Sequence, residues 1–350
     1  MEKWSDENMT RVDLITGFLG AGKTTFILDY ARELIRRGER IGIIENDYGA
    51  INVDLMLLSR SLGEQGEGNY RLEMVIGGDP DCHRRRLKTK LIAMGIDRFD
   101  RVLVEPSGVF DVEEFTDILY EEPLEHMMSL ENVITVVDPE QLLKEKENRE
   151  SGSDRGLSPD ARYILGEQLS KAGCVFFSKA ETYGEAETEE ALRLLNGILQ
   201  EVQCRRVLTE GDILRRGASL GNSLAGLTGE DWDRILHAGN RDYAYAKRQV
   251  VEDGSFTSLF FFYPELQEKE EEAILRRMEE IFRDPALSGL SRIKGFLEDD
   301  GEWIEINATR EQTEIRKSPV GQPVLIAIGQ GITQEAVGHF LKSYENEYRG

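Results

Sequence analysis

The chain has 350 residues, with 66 acidic side chains against 43 basic ones and a formal net charge of −23. That length allows two domains, and the charge excludes general affinity for nucleic-acid phosphates. No apolar run approaches the ~20 residues of a membrane span, the charged opening Met1–Asn8 lacks a signal-peptide core, and three scattered cysteines (Cys82, Cys174, Cys204) make no disulfide framework, so a reduced cytoplasmic setting is expected.

From Arg11 to about Thr209, short apolar runs alternate with amphipathic segments. Strands are predicted at Val12–Thr16, Arg40–Glu45, Arg71–Ile76, Arg101–Glu105, Val133–Asp138, Gly173–Ser178 and Arg205–Leu208. Continuous apolar runs are what strands buried on both faces require. The expected fold is therefore α/β, a mainly parallel sheet with helices on both faces. Between the first strand and a helical run (Thr25 to Arg37) lies Gly17-Phe-Leu-Gly-Ala-Gly-Lys23-Thr24. This is the phosphate-loop pattern in the strand-loop-helix setting that it needs. Glycines at 17, 20 and 22 let the backbone from Gly17 through Ala21 to Thr25 turn its amides toward phosphate oxygens. The helix start adds a positive end. Lys23 supplies a point charge for the β- and γ-phosphates, and the Thr24 hydroxyl suits Mg²⁺. The spacing implies a nucleoside triphosphate site.

Ligands of such sheets bind beyond the carboxyl ends of the strands. There the sequence places Asp47 after the second strand, Glu105 and Gly108 after the fourth, and Ser178, Lys179 and Glu181 after the sixth. Asp47 reads as a metal-side carboxylate or as a turn starter. Glu105 closes an apolar strand, where a lone carboxylate is costly. It would orient metal or water, with Gly108 letting the backbone approach the γ-phosphate; a solvent-facing Glu is the plainer reading. Asp79-Pro80-Asp81-Cys82-His83 offers oxygen, sulfur and imidazole ligands for a transition metal. The same residues also cap a helix running to about Ala93. The run Arg84–Lys90 reads as a solvated helix face or as an anion-facing patch. His126, His237 and His339 have no partners at ligand spacing, and Cys174 lies in strand core.

The polar segment Lys144–Pro159 reads as a loop or frayed helix. A helical connector is expected over 211–247, with a helix near Asp231–His237. A smaller α+β domain is expected over 248–350: a strand at Phe256–Tyr263, a helix at Glu265–Phe282, a hairpin around Asp299–Gly301, a strand at Val324–Ile328 and a last helix at Thr333–Tyr344.

The order phosphate loop, Glu45-Asn-Asp-Tyr-Gly49, Gly77-Gly78, Glu105-Pro-Ser-Gly108 and Ser178-Lys-Ala-Glu181 resembles the CobW/HypB/UreG family of P-loop GTPases. It is most similar to the CobW-like branch, whose small C-terminal domain Ser291–Phe296 also resembles. The resemblance implies a GTPase domain over 1–210 and a CobW-type C-terminal domain over 248–350. It implies a switch that couples GTP hydrolysis to delivery of a metal ion or metallocofactor. Lys23, Asp47 and Glu105 would serve the chemistry, and Thr24, Asp47 and Glu105 would hold Mg²⁺. Partners would be a client metalloprotein or cofactor-dependent enzyme, with no nucleic acid or membrane, and a homodimer stays open.

Two departures are plain. The family's Asn-Lys-x-Asp base motif reads Ser178-Lys-Ala-Glu181, so ATP stays open beside GTP. The branch's Gly-Cys-x-Cys-Cys segment reads Gly78-Asp-Pro-Asp-Cys82, which leaves Zn²⁺, Co²⁺ or a corrinoid cargo as alternatives. A phosphotransferase and a non-hydrolysing scaffold are the rival functions.

Overall fold

The computed structural model describes residues 9–18, 20–47, 69–76, 80–106, 112–150, 157, 159–179, 183–215, 227–247, 257–262, 264–265, 270–299, 301–310, 313–318, 321–329 and 331–343. The chain divides near residue 248 into two compact units. Among the described residues, no helix is long and apolar enough to cross a membrane.

The strands described in the first unit are β1 (Thr10–Thr16), β2 (Ile41–Asp47), β3 (Tyr70–Ile76), β4 (Arg101–Glu105), β5 (Met128–Val137), β6 (Cys174–Phe177) and β7 (Ile213–Arg215). Its helices are α1 (Lys23–Arg36), α2 (Pro80–Ile96), α3 (Val112–Leu119), α4 (Pro139–Glu150), α5 (Pro159–Lys171), α6 (Glu185–Glu201) and α7 (Gly229–Leu236). These strands form one parallel sheet in the order β3-β2-β4-β1-β5-β6-β7. This is the expected α/β architecture. Alternate strand residues serve opposite faces. Ile15, Ile43 and Leu103 bury with Phe26, Tyr30 and Leu34 of α1 and Trp232 and Ile235 of α7. Val12, Leu14, Val102 and Val104 bury with Leu87 and Leu91 of α2 and Phe115 of α3.

Helix α1 buries Phe26, Ile27, Tyr30, Ala31 and Leu34, the stripe of an amphipathic helix. Phe26 is 1% exposed, so Phe26→Ala would cost about 3–5 kcal/mol and loosen the helix that carries Lys23. β1 lies between β4 and β5, where the strand order reverses, so the loop after it opens at the sheet's ligand crevice.

The strand expected at Arg205–Leu208 is not one. Arg206 is buried and donates to the carbonyls of Leu169 and Ala172 at 2.5 Å each. Asn196 of α6 takes both backbone groups of Leu208, at 3.0 and 2.8 Å. Those bonds replace a ladder, and β7 pairs with Val175–Phe177 as the edge strand instead. The stretch expected as a helical connector thus supplies β7 and α7. The polar stretch after Lys144 continues α4 to Glu150, and 151–156 lie outside the described residues.

The second unit contains β8 (Thr257–Phe262), β9 (Pro264–Glu265), α8 (Glu271–Arg283), β10 (Leu290–Asp299), β11 (Glu302–Thr309), β12 (Thr313–Ser318), β13 (Val324–Gly329), α9 (Gln334–Gly338) and β14 (Lys342–Ser343). Five of these strands pair antiparallel in the order β12-β11-β10-β13-β8. Ile274, Met278 and Ile281 of α8 bury with Ile293, Leu297, Ile306 and Leu325. The expected hairpin joins β10 and β11. The helix expected from Glu265 begins only at Glu271, because Pro264 and Glu265 pair with Ser343 and Lys342. That pairing also ends the last helix early, at Gly338.

Candidate nucleotide site

At Gly17 φ is +135°, and a Cβ there would lie 2.1 Å from Val136 O, so the loop can pass β5 only as glycine. Gly20 and Gly22 have φ +80° and +92°. These left-handed residues give the loop the turns of an anion nest. Gly22 caps α1 without a side-chain hydrogen bond, so the helix presents its positive end to the loop. Ala21 is buried, and Thr25 is exposed at the first turn of α1.

Lys23 is 7% exposed. Its ammonium donates to Phe18 O at 3.3 Å and stands 3.8 Å from Glu105 Oε1. The Thr24 hydroxyl donates to Glu105 Oε2 at 3.2 Å. Glu105 therefore closes β4 against the loop, with its side chain 14% exposed rather than facing solvent. An ammonium suits phosphate oxygens, and a hydroxyl beside a carboxylate is the hard-oxygen donor set of Mg²⁺. The residues present fit that ion. Sequence reasoning passed over Glu45, which is 3% exposed and is the register partner of Glu105 on β2. In a parallel pair, register partners share a sheet face, so the Glu45 carboxylate, two residues before the end of β2, lies on the same face as the Glu105 carboxylate that ends β4.

The end of β6 joins the same crevice. A Cβ at Gly22 would lie 3.5 Å from Ser178 Cβ. Ser178 N and Oγ both bond Val137 O, at 2.9 and 3.2 Å. Lys179 has φ +53° and donates to Asp138 Oδ2 at 2.6 Å. The structure thus brings together Gly17, Gly20, Gly22, Lys23, Thr24, Glu105, Ser178 and, through its neighbour, Lys179.

Other expected residues are not described at this level. Asp47 ends β2 in register with Ile76, but its side chain lies outside the described residues, as do Gly108, Glu181 and Asp79. Asp81, Cys82 and His83 open α2 by their backbone, with side chains outside that description. The helix does begin at Pro80, as its capping pattern predicts. The basic run on α2 is no bare anion patch. Arg84 and Lys88 pair with Glu121 at 2.5 and 2.6 Å, and Lys90 with Glu73 at 2.5 Å. His126 does have partners at ligand spacing, contrary to the sequence expectation: Glu122 and Glu125, all three exposed. The short helical turn Leu124–His126 brings them together, with Glu122 three residues before Glu125 and four before His126, the separations at which side chains on a helical turn meet. Cys174 lies in β6 at 5% exposure, and burial pushes its thiol up to about 12, so it is inert core.

Comparison with known proteins agrees with this geometry. Residues 11–206 match the family described as CobW/HypB/UreG, nucleotide-binding domain. The chain is 27% identical over 361 aligned positions to the zinc chaperone CobW of Pseudomonas aeruginosa, covering 95% of this chain and 90% of that one. It is 28% identical to the zinc chaperone YeiR of Escherichia coli, covering 53% of this chain and 51% of the relative. It is 25% identical to the zinc-regulated GTPase metalloprotein activator 1 of Dictyostelium discoideum, covering 55% of this chain and 43% of the relative. The chain thus spans about half the length, or less, of two of these three relatives.

Proposed function

Because this chain belongs to the CobW/HypB/UreG nucleotide-binding family, by a match over more than half of its length, we propose that it hydrolyses GTP and uses that cycle to deliver a metal ion to a client protein. The observation that carries the reading is Glu105 reaching both Lys23 and Thr24 across the phosphate loop. The metal-delivery half draws on relatives that are named as zinc chaperones and as a metalloprotein activator.

In the reaction, a water oxygen bonds to the γ-phosphorus while the bond to the bridging oxygen breaks. GDP leaves, and the water's proton ends on the released phosphate. Lys23 and the loop amides bind the oxygens on which negative charge gathers. Glu105 orients the water or the metal-side hydroxyl of Thr24, and the Lys179 stem packs beside the base. Thr24 and Glu105, with Asp47, are the residues that would hold Mg²⁺, which when bound neutralises phosphate charge.

Zinc is the first cargo to try, written here as a substrate of the cycle, with Co²⁺ as the comparison. Asp79, Asp81, Cys82 and His83 are its candidate handlers. One thiol among two carboxylates and an imidazole makes a harder site than a thiolate cluster.

Phosphate release from GTP and from ATP, with and without Zn²⁺, tests both halves. GTP turnover that exceeds ATP turnover and responds to Zn²⁺ is expected. Binding without phosphate release, or a phosphorylated small acceptor in place of free phosphate, would replace the reading with a scaffold or a phosphotransferase. Zn²⁺ affinity that survives both Asp79→Ala and Cys82→Ala would remove this segment from metal handling.

A further inference from the structure

At the end of β5 the chain turns on Asp138, and no motif announces the partner of this carboxylate. Asp138 is 6% exposed. Its Oδ1 accepts the backbone N–H of Glu140 at 3.0 Å, the bond of an Asp that caps a helix opened by proline. Its Oδ2 accepts the Lys179 ammonium at 2.6 Å. Forty-one positions separate the two residues in sequence, and the parallel pairing of β5 with β6 brings them together.

Lys179 is held as firmly in its backbone. Its φ of +53° is a left-handed conformation that a residue with a side chain adopts only where the surroundings impose it. Next to it, Ser178 N and Oγ are both fixed on Val137 O, and the Tyr183 hydroxyl donates to Ser178 O at 2.6 Å. Ser178 in turn faces Gly22 of the phosphate loop. Lys179 thus stands beside the loop with its head turned to Asp138 and 39% of its side chain exposed.

We propose that Asp138 is a positioning residue for the nucleotide: by holding the Lys179 ammonium, it lays the lysine stem out as the apolar surface against which the purine ring packs. This rests on the reading of the loop as a nucleoside triphosphate site. A lysine stem covers apolar surface while its head stays in a polar setting. Left without an anchor, the stem samples many rotamers, and binding must order it. Asp138 supplies that order before the ligand arrives. It acts through Lys179 and touches no phosphate, so its effect falls on the base end of the ligand alone. The stem is blind to the edge of the ring, so guanine and adenine nucleotides feel the loss equally.

The test uses the full chain and two variants that keep an oxygen for the Glu140 N–H, Asp138→Asn and Asp138→Ser, so the cap on α4 survives. GTP, ATP and inorganic tripolyphosphate are titrated against a bound fluorescent guanosine triphosphate analogue. The proteins compared are the wild type, both variants, Lys179→Ala and the Asp138→Asn/Lys179→Ala double variant. GTP and ATP are expected to weaken by the same factor, about three- to tenfold, with tripolyphosphate unchanged within about twofold. Adding Asp138→Asn to Lys179→Ala should cost nothing further. Unchanged GTP affinity in both capping variants overturns the proposal and leaves the functional reading standing. So does an equal loss for tripolyphosphate, or losses that add in the double variant. A wild type that binds tripolyphosphate but no nucleoside triphosphate overturns both.

Discussion

The first helix and the fourth strand each carry polar groups at two levels. At the carboxyl end of β4, Lys23 and Thr24 reach Glu105 at 3.8 and 3.2 Å. At its amino end, Arg101 donates to Asp13 Oδ2 at 2.6 Å and to Glu39 at 3.1 Å. Tyr30 donates to the same Asp13 oxygen at 2.6 Å, and Asn132 donates to Asp13 Oδ1 at 2.8 Å. Asp13 is 0% exposed, with both oxygens engaged by neighbours of its own chain. Burial raises its carboxyl above the ordinary value against the pull of Arg101 and its hydrogen bonds. Burial works against Arg101 too, yet the carboxylates of Asp13 and Glu39 raise it and keep it charged. The difference between the levels is one of closure. The heart of the lower cluster, Asp13 with Arg101, Tyr30 and Asn132, is short-bonded and buried, and holds β1, β4, β5 and α1 in one arrangement. The upper one has longer contacts at the mouth of the loop, as groups that exchange partners for a ligand should. A charge inside an apolar strand is therefore no sign of a site until its bonding is known.

Breaking the lower cluster should have the largest effect on the fold. Arg101→Ala leaves Asp13 buried without its cation, which costs about 3–5 kcal/mol in denaturant unfolding. Nucleotide affinity of the protein that remains folded should stay within about twofold. A parallel loss of affinity with the fold intact would mean that the two levels are one system. Breaking the upper cluster should do the reverse. Glu105→Gln should slow GTP turnover by on the order of ten- to a hundredfold and move stability by no more than about 0.5 kcal/mol. An unfolding midpoint that collapses with turnover would make Glu105 a structural residue.

Acid gives the smallest effect. Burial works against Glu73, but hydrogen bonds from Lys90 and Arg71 outweigh it and hold the group below its ordinary value of 4.5. Glu113 is lowered in the same way by Lys247 and Lys171. A lowered folded-state value means that the stability these groups contribute is complete above about pH 4.5. It disappears as the pH falls from there through the folded values. Urea midpoints should therefore be level between about pH 7 and 5.5 and decline below 4.5. Substituting Glu73 and Glu113 by Gln together should flatten that decline, and an unaltered decline would assign it to other carboxylates.

How much of this was legible beforehand follows from where each signal lives. The parallel sheet is written in continuous apolar runs, and the phosphate loop in a fixed spacing of glycine, lysine and threonine, so both could be read locally. Glu105 was legible because a carboxylate ending a buried strand must have a partner nearby. Arg205–Leu208 misled because a short apolar run does not say that Asn196 and Arg206 take over the hydrogen bonding there. β12, Thr313–Ser318, was missed as a polar alternating stretch on the edge of its sheet. The Asp138–Lys179 pair, the Glu45–Glu105 register and the partners of the α2 arginines all depend on which strands and helices become neighbours. No local pattern encodes that.

The most direct test of the central claim, that one ammonium beside a glycine nest grips the triphosphate while Glu105 senses it, is a titration of fluorescent GTP against wild type and Lys23→Ala at matched folded fraction. The account predicts that triphosphate binding is lost by on the order of a hundredfold or more in the variant while the unfolding midpoint barely moves. Equal affinity in the two proteins would contradict it.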